Sequence, residues 1–366
     1  MDFTFSAEQD DLRQAVRSTL ATELPHERLR ALMETDEGFT DELWAMIAGL
    51  GWTGVLVPQS FGGLGLGLVD MVVLQEEMGR LPLPGPFFSS AVFATLAAVR
   101  LGADELLADL ASGAKRGTVA LEELGHGDPV RRVAATATAT ASGKTWLLDG
   151  LKPVVLDGHT ADWAIVVARS DDGLGSFLVD APRTELVPAL DVSRKVSRLD
   201  LSGRSARRIG PPGDQTEVWQ RVVDDAAVAL CAELVGVCSA AVDLAVEYAK
   251  SRVQFDRPIA TFQVIKHKTV DMLHRLELSR VGTHYAAWTS DIDDSQREAA
   301  AAMCKGYVGE AANFVTAEDI QIHGGMGFTW DVDAHIYYRR AKQDDLLLGY
   351  SGHHRHRLAD LILGPA

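Results

Sequence analysis

The sequence predicts an α+β fold in three successive parts: a helical domain over residues 1–117, a small β domain over 118–212 and a helical bundle over 213–366. Three observations predict it. Apolar residues recur at helical spacing through the first third of the chain. Short Thr- and Val-rich segments, punctuated by Gly and Asp, fill 118–212. Four long apolar helical patterns then follow with short joins, and helices of that kind bury one another as a bundle.

The elements follow in order. Residues 6–23 have helical spacing, with Ser6 as the N-cap, and 41–50 repeat the pattern. GWTGVLVPQSFGGLGLG (51–67) is a loop rich in Gly and Pro. Residues 68–80 form an amphipathic helix ending at Gly79-Arg80, and 86–114 supply more helix. TVALEE, VAATATATAS, TWLLDG, ADWAIVVARS and GSFLVDA read as strands, and VAATATATA alternates as a strand with one buried face should. Residues 218–252 are one long helical pattern with no Pro and a single Gly, Gly236; 259–290, 293–319 and 333–347 follow.

Composition excludes several function classes. The chain has 366 residues, 47% of them hydrophobic, and a net charge of −16. That apolar fraction is too high for intrinsic disorder. An acidic chain without a basic block is a poor partner for nucleic acid or an anionic membrane. Apolar runs are interrupted short of the roughly 20 residues of a membrane span, which predicts no span. The start, MDFTFSAEQDDLRQ, lacks the basic and apolar regions of a secretory signal. Cys231, Cys238 and Cys304 have no metal-ligand spacing and read as buried thiols of a reducing cytoplasm.

Two helix breaks hold the candidate chemistry. The first is Arg252-Val253-Gln254-Phe255-Asp256-Arg257-Pro258, with Gln263 beyond it and the next helix beginning near Pro258. Arg252 at a helix end is either a forked partner for a phosphate or a cation complementing the helix dipole. The second is Gln321-Ile322-His323-Gly324-Gly325-Met326-Gly327-Phe328, where glycines either admit a cofactor or simply stop a helix. His353, His354 and His356 are either metal ligands or a solvated basic helix face. No nucleophile elbow, Walker loop or dinucleotide fingerprint is present, and no strand–helix unit frames Gly62 to Gly67.

Taken together, GWTGVLVPQSFGGLGLGLVDMVVLQEEMGR, LLDGLKPVVLDGHTADWAIVVA, YAKSRVQFDRPIATFQ and AEDIQIHGGMGF, in that order, resemble the acyl-CoA dehydrogenase family over essentially the whole chain. The resemblance implies FAD as cofactor, an acyl-CoA as substrate and electron-transfer flavoprotein as the usual acceptor. It also implies that Arg252, Phe255, Gln263, Gln321, Ile322, Gly324 and Gly325 hold the adenosine and pyrophosphate end of a FAD whose ring lies on a neighbouring subunit. Asp256 stands where the family has Gly.

Other family features are replaced. The loop under the flavin reads Leu121-Glu122-Glu123-Leu124-Gly125-His126-Gly127-Asp128, and the flavin-side Trp-Ile-Thr strand reads Val154-Val155-Leu156. The two usual positions of the glutamate base hold Leu348 and Ala226. Fallback acids are Glu233, Asp225 and Asp345, with Asp224 and Asp344 beside them. The ending LLLGYSGHHRHRLADLIL resembles the base-lacking subunits of actinobacterial α2β2 dehydrogenases of steroid side chains. Three readings stay open: such a subunit, completed by a second acyl-CoA dehydrogenase chain; a self-contained dehydrogenase with a displaced base; and a flavin-free structural or regulatory subunit.

Overall fold

The computed structural model describes residues 6–125, 127–141 and 143–364. The chain opens with α1 (Ala7–Glu23), α2 (His26–Met33), α3 (Asp41–Gly49) and α4 (Leu68–Arg80). Ser6 caps α1 in a full capping box: its hydroxyl accepts from the Gln9 N–H, and the Gln9 side chain accepts from the Ser6 N–H. The expected helix over 86–114 is broken. A π-helical segment, Phe87–Ala94, leads into α5 (Thr95–Leu101), which Gly102 stops at φ 64°, and α6 (Leu107–Ala111) follows.

Nine strands come next: β1 (Gly117–Ala120), β2 (Thr136–Ala139), β3 (Trp146–Asp149), β4 (Leu151–Leu156), β5 (Trp163–Ser170), β6 (Gly173–Asp180), β7 (Glu185–Val187), β8 (Val196–Asp200) and β9 (Arg204–Ile209). Pairing closes on itself in the order β5-β2-β3-β9-β6 and back to β5, with β1 parallel to the first half of β5. A second sheet, β4-β8-β7, accompanies this ring. The alternation in VAATATATA sorts as expected: Ala135 and Ala137 join Leu148, Val155, Phe177 and Leu199 in the core, while Thr136 and Thr138 face out.

The helical remainder is α7 (Thr216–Ser251), a two-residue hairpin β10 (Val253–Gln254) and β11 (Arg257–Pro258), α8 (Gln263–Asp291), α9 (Arg297–His323), α10 (Ala334–Leu346) and α11 (Ser351–Leu363). Buried Gln215 fixes the start of α7: its amide donates to the Ile209 and Pro211 carbonyls, and its oxygen accepts from Ser176, which also accepts from the Trp219 indole. α7 is long and apolar enough to cross a membrane, but most of that stretch is buried in protein, as a core helix is.

Contacts divide the chain into two compact units. One comprises His26–Met71 and Pro84–Ala226, which includes all of β1 to β9; the other comprises Met1–Pro25, Val72–Leu83 and Ala227–Ala366. In the second unit α4 and α7 cross backbone to backbone. A Cβ on Gly79 would lie 1.9 Å from the Glu233 carbonyl oxygen, and one on Gly236 would lie 1.9 Å from that of Glu76. The single glycine of the long helical pattern is therefore the contact point of the crossing.

Beside it, the buried Glu76 carboxylate meets Arg280 at 2.9 Å, Arg13 at 3.5 Å and His284 at 3.5 Å. Burial alone would raise this carboxyl, but His284, Arg280 and Arg13 outweigh it and bring it down to about 2. A depressed carboxylate stabilises fully above its ordinary pKa, and the contribution is lost as pH falls towards the depressed one. We expect up to about 3 kcal/mol of stability to disappear between about pH 4.5 and pH 2. Urea midpoints measured against pH should show this fall in the wild type and a shallower one in Glu76→Gln.

Candidate functional site

One edge of the second unit gathers most of the residues singled out at the two helix breaks. α7 ends at Ser251, and Arg252 still donates its N–H to the Tyr248 carbonyl at 2.8 Å. Its side chain is exposed and makes no ion pair among the described residues. The next helix does not begin near Pro258. Arg257-Pro258 pairs antiparallel with Val253-Gln254, and α8 starts at Gln263, which is exposed. The two residues at the tip, Phe255 and Asp256, have φ of 53° and 62°, the sign pattern of a tight hairpin turn. Asp256 thus occupies a left-handed position that glycine favours, one that a short polar side chain tolerates. Phe255 is 86% exposed, with its ring edge-on to Phe262 at 6.1 Å.

The glycine turn lies at the end of α9. Gln321, Gly324 and Gly325 are exposed and Ile322 is buried. Gly324 adopts φ 61°, ψ −137°, a conformation open essentially to glycine alone. A Cβ on Gly324 or Gly325 would meet nothing within 4 Å, so another molecule can approach this backbone closely. Tyr248, one turn before Arg252, stacks on His323, one residue before Gly324, with ring centroids 4.3 Å apart. That stack joins the arginine end to the glycine end. An exposed arginine, the exposed Gln263 and Gln321 side chains and an open glycine surface are a donor set suited to a diphosphate.

The positions where the resemblance expects a proton acceptor look different. Leu348 is buried in the loop between α10 and α11 with φ 58°, followed by Gly349 at φ 89°. A leucine held left-handed costs about 1–2 kcal/mol, so its surroundings impose the shape. The His354 Nε2–H donates to the Leu348 carbonyl at 2.9 Å. His354 is buried, not part of a solvated basic face, and burial drives its pKa down to about 3. No cluster of three potential metal ligands occurs among the described residues. Asp345 accepts from Asn313 at 2.8 Å and from the Ser351 N–H at 3.1 Å, securing the start of α11. Buried Lys305 donates to the Asp344 and Asp345 carbonyls at 2.7 and 2.9 Å. Glu233, on α7, is buried in an ion pair with the fully buried Arg340. In the other unit, Ala226 is fully buried, and Asp225 pairs with Arg100 and Arg221, each at 3.1 Å. Asp224 is buried too, with the Gln220 amide 3.4 Å from its carboxylate.

Residues 6–118 match the acyl-CoA dehydrogenase N-terminal domain, and residues 216–363 match the acyl-CoA dehydrogenase C-terminal domain. The acyl-CoA dehydrogenase IpdE2 of Mycolicibacterium smegmatis is 30% identical over 347 residues, 94% of this chain and 95% of the relative. The chain belongs to the acyl-CoA dehydrogenase family. These are enzymes acting on acyl-CoA, with FAD as cofactor. Two solved structures are close in shape. A variant of the Tcur3481-Tcur3483 steroid ACAD superposes with a TM-score of 0.88 at 33% identity, covering 97% of this chain and 98% of its own. The ChsE4-ChsE5 complex from Mycobacterium tuberculosis gives 0.89 at 28% identity, with full coverage of both chains.

The loop and strand that the resemblance sets beside a flavin ring are engaged with each other. Glu122 pairs with Arg132. Glu123 accepts from Lys152 at 2.6 Å and from the Ala134 and Ala135 N–H groups at 2.8 and 3.0 Å. Burial pulls the Lys152 ammonium down to about 8 against the opposing pull of Glu123, and the ammonium also donates to the Leu121 carbonyl at 3.1 Å. His126 lies outside the described residues. On β4, Val155 is fully buried in the core, and Leu156 is buried with its carbonyl accepting from Thr118 at 2.6 Å. Val154, Val155 and Leu156 carry no side-chain hydroxyl, so this strand does not fit the flavin-ring contact that the resemblance implies.

The sequence patterns alone assign no role to Tyr248, His323 or Asp319. The i,i+4 spacings Asp319–His323 and Tyr248–Arg252 were the available signal, since such pairs meet on one helix face.

Proposed function

We propose that this chain is the base-lacking subunit of a hetero-oligomeric acyl-CoA dehydrogenase. It lends the adenosine and pyrophosphate half of a FAD site to a partner subunit that carries the catalytic glutamate and the flavin-ring pocket. The observation that carries this reading is Leu348 and Ala226 at the two usual base positions, since neither side chain accepts a proton. The reaction needs a carboxylate to take the acyl α-proton, and bound FAD supplies the acceptor for the β-hydride. The ion pair of Glu233, the two arginines on Asp225 and the helix-end contacts of Asp345 engage the fallback acids structurally, which weighs against a displaced base. Arg252 would fork onto a phosphate oxygen, Gly324 and Gly325 would admit the dinucleotide to the backbone, and Gln263 and Gln321 would supply polar contacts.

The steroid ACAD among the similar structures and the two-component ChsE4-ChsE5 complex support a bulky acyl chain and an α2β2 assembly. Electron-transfer flavoprotein is the proposed electron acceptor, and the cytoplasm the proposed compartment. The apolar side chains exposed on α8 and at the end of α11, among them Val264, Val270, Val281, Ile362 and Leu363, suit burial against another subunit.

Purifying the chain alone and together with its partner tests this. The pair should show a flavin spectrum and turnover, and the chain alone neither. Turnover by the chain alone would refute it. In the assembled pair, Arg252→Ala should weaken flavin retention roughly ten- to hundredfold. Arg252→Lys should restore part of it, because a point charge cannot make the forked contact. Full retention of flavin by Arg252→Ala through gel filtration would reduce Arg252 to a helix-end cation.

A further inference from the structure

The glycine turn follows the C-terminal end of α9, and a helix C-terminus carries partial negative charge. That is a poor neighbour for a diphosphate. Three side chains beneath the turn bear on the conflict. His323, the last residue of α9, is 3% exposed. Its Nδ1–H donates to the Asp319 carbonyl at 2.9 Å and lies 3.0 Å from Asp319 Oδ1. Its ring stacks on Tyr248, whose carbonyl holds the Arg252 N–H. The Tyr248 hydroxyl reaches the Met326 Sδ at 3.9 Å, on the far side of the glycine pair. Gly327 then folds back under the turn: a Cβ there would lie 2.8 Å from the Ile320 carbonyl oxygen and 3.2 Å from the His323 Cβ. One residue, His323, therefore ends α9, stacks its ring on the helix that presents Arg252 and lies beside the return of the glycine turn.

We propose that His323, seated between Asp319 and Tyr248, is a positioning residue for the dinucleotide diphosphate: in its imidazolium form it offsets the negative helix end and holds the glycine turn against the Arg252 end of α7. The proposal rests on the reading that this chain binds the adenosine-diphosphate end of FAD. It assigns His323 no contact with the reacting atoms.

The charge state follows from the surroundings. Burial alone would lower the His323 pKa, but the hydrogen bonds and charge of Asp319 outweigh it and hold it above the ordinary histidine value. Burial raises the Asp319 carboxyl, with His323 opposing. Among the described residues, Tyr248 of α7 stacks on His323, and Tyr337 of α10, on which Asp319 acts, links the pair to Asp333, Arg80 and Asp243. Arg80 is paired with Asp243 at 2.7 Å, and burial pushes the Tyr337 hydroxyl far up, so it stays neutral. A raised histidine pKa means that the favourable cation is present at low pH and is lost as pH rises through the raised value. Neutral His323 keeps one N–H for Asp319 but no longer offsets the helix end.

The probe is ADP-ribose, which carries the adenosine diphosphate without the flavin and whose diphosphate diester does not titrate near neutral pH. It is titrated calorimetrically into the full-length wild-type chain. Affinity should fall roughly three- to tenfold from about pH 6 to about pH 9. Binding near the midpoint should take up protons, read as a dependence of the heat on buffer ionisation, because ligand and proton binding are linked reciprocally. His323→Asn, which retains a donor for Asp319 but loses ring and charge, should bind more weakly at low pH and lose the pH dependence. His323→Phe, which retains only the stacked ring, should also lose it. Wild-type binding without proton uptake would overturn the proposal with no variant needed, as would an unchanged pH profile in a folded His323→Asn. Absence of ADP-ribose binding at every pH would overturn the half-site reading and this proposal together.

Discussion

Replacing Arg340 by Ala is expected to destabilise the chain by about 3–5 kcal/mol, because it takes the partner guanidinium away from the buried Glu233 carboxylate. Both partners are almost wholly buried, Arg340 on α10 and Glu233 on α7. Glu233→Ala should cost a similar amount by removing the carboxylate that balances the buried guanidinium. The double variant Glu233→Leu, Arg340→Met should recover most of the loss, since a buried ion pair replaced by apolar side chains of similar size is often near neutral. Chemical denaturation of the three variants checks this. The same double variant separates structure from catalysis. It keeps a folded chain while removing the strongest fallback acid. Turnover of the assembled enzyme should stay within a few-fold, whereas loss of a working base costs about 10²–10⁴ in rate.

The second large effect is at the crossing of α4 and α7. Gly236→Ala places a Cβ 1.9 Å from the Glu76 carbonyl oxygen, and Gly79→Ala does the same against the Glu233 carbonyl oxygen. Backbone on both sides leaves neither helix a flexible side chain to move aside. Each variant should lose about 3 kcal/mol, at the upper end of overpacking costs. Gly282→Ala on α8 is the control. A Cβ there meets nothing within 4 Å, so the change should be neutral or stabilise by about 0.5–1 kcal/mol through helix propensity. Equal melting of the Gly236 and Gly282 variants would show that the helices adjust freely at the crossing.

Local patterns were legible where a residue's own chemistry decides the backbone. The reading of α4 as 68–80 matches Leu68–Arg80, and Ser6 caps α1 through its own hydroxyl. The Ala–Thr alternation fixes which face of β2 enters the core. The hairpin 253–258 was not legible. Arg257-Pro258 has the composition of a helix start, and positive φ at Phe255 and Asp256 comes from strand pairing rather than from a glycine. The burial of His354 was hidden because its partner is a loop carbonyl, that of Leu348, which carries no sequence signal. The Glu233–Arg340 pair joins residues 107 apart, beyond the reach of helical spacing. For the site, the phosphate-type arginine and the glycine turn stand out as residue types. Leucine, alanine and valine draw attention at 348, 226 and 154 only beside a family that has other residues there. What the backbone adds is the Tyr248–His323 stack, which turns two separate motifs into one edge.

The central claim is that this chain completes a flavin site without housing one of its own. The most direct test is the count of FAD against protein in the purified assembly, by flavin absorbance after denaturation and by native mass. The account predicts one FAD for each pair of unlike subunits. One FAD for every chain would contradict it.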